Sequence, residues 1–276
     1  MLSAVTRLIR AAELGFALAM RIVPRHHRFQ TALLLARATV PLFVHTAAYQ
    51  EQSIKNFHRP DEIALFLLLN ALTKNGTPFD LEILAEGYQH FERAYAKGKG
   101  VLMTGHHAAL TLLMVRFFHD KHLHPIVVTP DDNLRVPGTA VRAATIQPSH
   151  MFLVNFRTKL RAGEVICAMP DRAEHHGRRT IEFATAASPV IVAPATIEVA
   201  ARCGAAVLFT EVRVEGGQLV TIIAEPAASS AGNATAIMTD FISFVRERTA
   251  RSATLPPSSG TKTTRFRFSS LLAWRR

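Results

Sequence analysis

Cysteine is almost missing from this chain: its 276 residues hold two, Cys167 and Cys203, with no C-x-x-C pair and no cysteine–histidine cluster at zinc-ligand spacing. A disulfide framework is excluded, no metal site or other cofactor is indicated, and a reducing, cytoplasmic setting is expected. Acidic residues are scarce, 21 against 32 lysines and arginines, which leaves a formal net charge of +11 and an isoelectric point near 10.5. Such a surplus points to a polyanionic partner and leaves anionic lipid, nucleic acid and an acidic carrier protein all open.

Long hydrophobic runs are lacking as well. The stretch Ala11 to Met20 is bounded by Arg7, Arg10 and Arg21, far short of the roughly 20 residues that span a bilayer. Arg25-His26-His27-Arg28 follows it instead of a small-residue cleavage site, so a secretory signal is not expected. Two readings remain for this segment, an interfacial amphipathic helix and an ordinary helix packed on the protein. Also missing are a G-x-S-x-G elbow, a P-loop, a dinucleotide fingerprint and any internal repeat, which weakens hydrolase, NTPase and dehydrogenase readings. Ser149-His150 reads as a loop rather than as a nucleophile and its base.

What is present supports a sizeable core, since 49% of the residues are hydrophobic and the length suits one large domain or two small ones. From Leu2 to about Asn75 apolar residues recur at helical spacing, with breaks at Pro24, Pro41 and Pro60. After Asn75-Gly76-Thr77-Pro78 a helix is expected from Leu81 to Ala96, ended by Lys97-Gly98-Lys99-Gly100 before the apolar run Val101 to Thr104. The alternation then continues with a helix from about Ala108 to Asp120, a strand Pro125 to Thr129 and a helix ending near Arg161. A strand Val165 to Met169, a helix from about Pro194 to Cys203 and a strand Ala206 to Val212 follow. A turn at Gly216-Gly217 leads to a strand Leu219 to Ala224 and a closing helix Thr235 to Thr249.

This order predicts an α/β fold with a mostly parallel central sheet flanked by helices and a helical N-terminal region. Three parts are expected: 1–75, helical and a candidate for membrane association; 76–250, the α/β domain; and 251–276, a basic flexible tail. The tail carries Arg251, Lys262, Arg265, Arg267, Arg275 and Arg276 with no acid, after the linker Pro256-Pro257-Ser258-Ser259-Gly260.

The chemistry concentrates at Gly105-His106-His107, directly after a buried strand and before a helix. In an open α/β sheet that is a strand's carboxyl end, where ligands collect. An imidazole there suits general-base work on an acceptor hydroxyl, and amides at the helix start suit a developing oxyanion. The bland alternative is a pair of capping or partly buried histidines among thirteen. A second polar cluster, Asp171-Arg172-Ala173-Glu174-His175-His176-Gly177-Arg178-Arg179, follows another strand. Guanidinium forks at Arg172, Arg178 and Arg179 match phosphate oxygens, while the competing reading is a solvated loop. Glu174, His175 and His176 lack a third spaced ligand, so no metal is assigned.

The segment Lys97 to Leu112 resembles the first conserved block of the lysophospholipid acyltransferase superfamily, and it is most similar to the late acyltransferases of lipid A biosynthesis. There a Lys-Gly-rich turn and a short apolar strand lead into Gly-His, and an acid follows the catalytic histidine five positions later. Leu160-Arg161-Ala162-Gly163-Glu164 leading to Asp171 resembles the second block. Arg178 to Phe183 and Ala200 to Val207 resemble the segments after it, so the likeness covers about residues 80 to 225. It implies a peripheral enzyme on the cytoplasmic side of the inner (plasma) membrane, moving a fatty acyl group from an acyl carrier protein or acyl-CoA to a hydroxyl or amine of a lipid acceptor. His106 would be the base, with His107 the second choice, and Arg172, Arg178 and Arg179 would hold the anionic group.

The likeness breaks at one position. Five residues after His106 stands Thr111, and five after His107 stands Leu112, so the carboxylate that fixes the imidazole tautomer and stabilises its protonated form is absent in either register. A threonine hydroxyl can accept the ring N–H bond but carries no charge. Two substitutes remain open, Asp131 or Asp132 after one strand and Asp171 after another. A protein of the same fold that binds lipid or acyl carrier without turnover is the alternative function. A nucleic-acid partner, suggested by Arg265-Phe266-Arg267-Phe268, is not expected, because these residues with Leu271, Leu272 and Trp274 suit an anionic membrane surface better.

Overall fold

The structure, a computed structural model, describes residues 4–43, 60–106, 110–171, 179–186, 189–227 and 232–253. They divide into two compact units. The first takes in 4–81 and a short return at Gly138–Ala140, and the second holds 82–137 and 141–253, each counted over its described residues. Residues 254–276, the basic tail, lie outside the described set.

The first unit is built of helices α1 (Ala4–Ile22), α2 (Arg28–Phe43) and α3 (Pro60–Lys74), with a 3-10 turn at Arg25–His27 joining the first two. Both α1 and α2 pack on α3. Ala17, Met20, Phe29, Ala32, Leu33 and Ala36 point inward with Ile63, Leu65, Leu69 and Leu72 of α3, the helical spacing that the sequence shows. The corner is tied by Arg28, whose guanidinium donates to the carbonyl oxygens of Val23, Arg21 and Pro78. Its charge is buried, but three carbonyls from two chain segments satisfy its donors. On α1, Leu14, Leu18 and Ile22 stand four apart and are exposed, Ile22 by 87%. Leu34 and Leu35 of α2 are exposed too. No helix among the described residues is long and apolar enough to cross a membrane.

The second unit is the predicted α/β sheet. Its strands are β1 (Ile83–Glu86), β2 (Val101–Thr104), β3 (Ile126–Val128), β4 (Ala144–Ile146), β5 (Val165–Ala168), β8 (Ala206–Glu215) and β9 (Gln218–Ala224), in the spatial order β1-β9-β8-β2-β5-β3-β4. Every neighbouring pair is parallel except β8 and β9, which form a hairpin through Gly216-Gly217. Both turn glycines have positive φ, which a residue with a Cβ adopts only with strain. The central strands β2 and β5 are buried along their whole length, as strands covered on both faces must be.

Helices α4 (Tyr88–Ala96) and α5 (Leu112–Asp120) share a ring cluster of Tyr88, Phe91, Phe117 and Phe118. Helices α6 (Phe152–Arg161), α7 (Ala195–Arg202) and α8 (Ala234–Ala253) form the second flanking group, with α7 touching both of the others. Strands β6 (Ile181–Ala184) and β7 (Pro189–Val192) make a separate antiparallel pair.

Several elements differ from their expected form. Residues 81–86 are not the start of a helix: Ile83 to Glu86 pair in parallel with Leu219 to Ile222, because the open edge of β9 satisfies their backbone better than an exposed helical turn would. The helix expected from Ala108 begins at Leu112. Strand β8 runs on to Glu215, its buried Val212 and Val214 alternating with Arg213 and Glu215 along the hairpin. Strand β4 and the β6–β7 pair had no clear signal in the sequence.

Two glycine turns, at Gly100 and Gly163, bring the first and second sequence blocks together. Gly100 has φ +78°, and a Cβ on it would collide with the backbone of Leu160. On either side of it Val101 N donates to Glu164 O and Ala206 N to Gly100 O, both at 3.1 Å. The start of β2 is thereby locked to the starts of β5 and β8.

Helix α8 is fastened to β8 by Phe209, whose ring lies 5.7 Å from Phe241 and 5.4 Å from Phe244, centre to centre. Phe241 is fully buried. Replacing it with alanine is expected to cost about 3–5 kcal/mol of unfolding free energy, read as a lower urea midpoint at unchanged slope. A loss below about 1 kcal/mol would show that α8 is not held by this contact.

Candidate functional site

The site is set by how β2 ends. Thr104 donates its hydroxyl to Ala168 O of β5 at 2.8 Å, and Thr210 of β8 donates its hydroxyl to Thr104 O at 3.5 Å. Both neighbours therefore grip the last residue of the strand. Gly105 comes next, and any Cβ there would overlap the carbonyl oxygen of Thr210. Glycine is required by this approach, and it keeps the chain pressed to β8 for one more residue. His106 is then delivered into the interior at 7% exposure.

Its Nδ1 is buried and has no hydrogen-bond partner among the described residues. Burial is the main cause that pushes its pKa down from 6.5 to about 4, and the Arg248 guanidinium of α8 adds to it. Both effects penalise the imidazolium, so at neutral pH His106 is an uncharged base. Arg248 is itself largely buried. Its Nε lies 3.4 Å from Oε2 of Glu211 on β8, each side chain being 11% exposed, and its guanidinium stands over the Phe244 ring.

The other expected residues fall in different places. Thr111 is buried at the N-cap of α5 in helical backbone conformation, with no side-chain capping bond. Since Nδ1 of His106 has no partner, the Thr111 hydroxyl does not take that ring proton. The amides of Leu113 and Met114 donate to Leu110 O and Thr111 O, so these two helix-start donors are occupied by their own turn. Asp131 and Asp132 accept bonds from Asn133 in a local turn. Asp171 follows β5, three residues past the strand end, next to Pro170 whose carbonyl accepts from Ala193 N. Arg179 is exposed and pairs with Glu198 of α7 at 3.1 Å. His107, Arg172 and Arg178 lie outside the described residues.

Cys167, beside Met103 in the β2–β5 pairing, is buried, and burial pushes its thiol up to about 12. It stays protonated and is no nucleophile. Among the described residues no group of three histidines, cysteines and carboxylates could hold a metal ion. Glu211 and Arg248 were missed in the sequence. The signal for them was an acid inside the apolar strand Ala206 to Val214, and an arginine on the helix face that carries Phe241, Phe244 and Val245.

The unit is thus an α/β protein with a dry, uncharged imidazole at the carboxyl end of a central parallel strand. No protein-family model matches the chain, and no curated protein matches it.

The depressed His106 pKa links to stability with a definite sign. The unfolded chain takes up a proton near pH 6.5 and the folded one only near pH 4. This contribution is therefore intact above pH 6.5 and is lost as pH falls through the window between them. Between pH 7 and 5 wild type should lose about 2 kcal/mol more than His106→Gln, measured by urea unfolding at each pH. Parallel losses would mean that His106 is not held neutral by the fold.

Proposed function

We propose that this protein transfers a fatty acyl group from a thioester, carried by an acyl carrier protein or coenzyme A, to a hydroxyl or amine of a lipid acceptor, with His106 as general base. The observation that carries the reading is the imidazole buried just past the carboxyl end of β2, where burial and the Arg248 guanidinium push its pKa down to about 4. It leaves the ring free to accept a proton at neutral pH, at the cost of a weakened base that a nearby negative charge would have to offset, and it has no evident use in packing. The order of blocks in the sequence supports the same chemistry.

In the proposed reaction the acceptor O–H or N–H gives its proton to His106 as the oxygen or nitrogen attacks the thioester carbonyl. The C–S bond of the tetrahedral intermediate breaks, and the leaving thiolate takes the proton from the imidazolium. The nucleophile is the acceptor itself, so no covalent enzyme intermediate is needed. Thr111 in place of an acid favours a second reading, a binder of the same ligands without turnover.

His106→Ala separates the two readings. Wild type should transfer a labelled acyl chain from the thioester to a lipid acceptor in single-turnover assays, and His106→Ala should lose at least about a hundredfold of that rate. Equal rates would refute the base assignment, and ligand binding without transfer in wild type would establish the non-catalytic reading.

The proposed place of work is the cytoplasmic surface of the inner membrane. Leu14, Leu18 and Ile22 form an exposed apolar stripe on α1, with Arg10 and Arg21 exposed on the same helix, which suits an anionic interface. Leu18→Glu/Ile22→Glu should lower sedimentation with phosphatidylglycerol vesicles, and raised salt should lower that of wild type. Unchanged sedimentation of the variant, or equal binding to neutral vesicles, would rule this surface out.

A further inference from the structure

The acid missing at Thr111 has a counterpart in space. Strands β2 and β8 are parallel and in register, Val101 opposite Ala206 through Thr104 opposite Phe209. Beyond the last ladder pair the backbone of Gly105 closes on Thr210 O. Counted from that pair, His106 and Glu211 each stand two residues further along their strands' direction. On this side the neighbour is still a regular strand, since β8 continues to Glu215. On the other side β5 has ended at Ala168, and continuing the Thr104–Ala168 register puts Pro170, not Asp171, opposite His106. Glu211 on β8 is held by Arg248 of α8 at 3.4 Å, and Arg248 is the charged group that acts on the His106 ring.

We propose that Glu211 is the positioning carboxylate of His106, supplied by the neighbouring strand in place of the acid absent at Thr111, with Arg248 as the cation that shares it. The kinetic consequence rests on the acyl-transfer reading, whereas the electrostatic coupling does not. When His106 takes the acceptor's proton, a positive ring appears beside a buried guanidinium. The Glu211 carboxylate, 3.4 Å from the Arg248 Nε, would offset that repulsion until the ring passes the proton to the leaving thiolate. Arg248 in turn sets an opposite charge 3.4 Å from the carboxylate in a buried site.

The coupling is read without substrate, by ¹⁵N nuclear magnetic resonance of the histidine rings against pH, with His106 assigned from its absence in His106→Gln. Arg248→Met removes the repelling guanidinium and should raise the His106 titration. Adding Glu211→Gln to that background should lower it again by about one pH unit or more. Identical titrations with and without Glu211 would overturn the proposal, and so would a larger change in Asp171→Asn. If Arg248→Met does not fold, Glu211→Asp gives the comparison, since it keeps the charge but withdraws it by one methylene. His106 should then titrate lower than in wild type, and an unmoved titration would refute the pairing.

In the transfer assay Glu211→Gln should reduce kcat roughly a hundredfold with KM little changed, and Glu211→Asp should recover part of it. Loss of the corresponding acid costs about 10⁴ in the serine-protease triad. Transfer that survives Glu211→Gln at full rate would overturn the positioning role. An intact ring coupling with no transfer by wild type would instead dispose of the acyl-transfer reading and leave the pairing standing.

Discussion

Everything at the proposed site depends on the contact between Gly105 and the Thr210 carbonyl. That contact holds β2 against β8 one residue beyond its last ladder position, and so brings His106 into the interior rather than onto a solvated loop. Burial then sets the chemistry of the ring. In water an imidazole is half protonated near pH 6.5, whereas here it is neutral down to about pH 4. The cost is that its protonated form becomes unfavourable, and a base that cannot tolerate its own proton is a poor one. The site therefore needs a negative charge close by.

The same desolvation governs Glu211 and Arg248. A buried ion pair is seldom a net gain in stability over apolar residues of similar size. This pair is nonetheless placed on the face where Phe209, Phe241 and Phe244 fasten α8 to the sheet, a position that Leu or Met would fill more cheaply. Under the proposed pairing, the neighbouring imidazole supplies a reason for an acid in the middle of this strand.

The architecture was legible where one force dominated. Buried strands such as Val101 to Thr104 and Val165 to Ala168 show as apolar runs because both faces are covered, and the helices between them show as periodic stripes. The failures lie where two forces compete. Ile83 to Glu86 has a pattern that suits a helix, yet a free edge of β9 takes it as a strand. The β6–β7 pair and β4 are short and half-exposed, so their alternation is hard to tell from a loop. Within the site, the strand-end histidine could be read from its neighbours. Glu211 and Arg248 could not, because they stand 105 and 142 positions after it and meet only through sheet register and helix docking.

Supplying the acid from a strand has a physical consequence that supply from a helix five residues on does not. A residue at that spacing moves with the loop and helix start that also carry the base, so small changes in the turn shift both groups together. Glu211 belongs to a strand paired with β2 as far as Phe209 and with β9 at Glu211 itself, opposite Ile222, and its position is set by backbone hydrogen bonds made away from the turn. The distance between base and acid then depends on the alignment of β2 with β8, which is fixed at one end by Ala206 N on Gly100 O and at the other by Thr210 on Thr104 O. With the acid supplied in this proposed way, residue 111 need not be a carboxylate, and a buried threonine stands there at the start of α5.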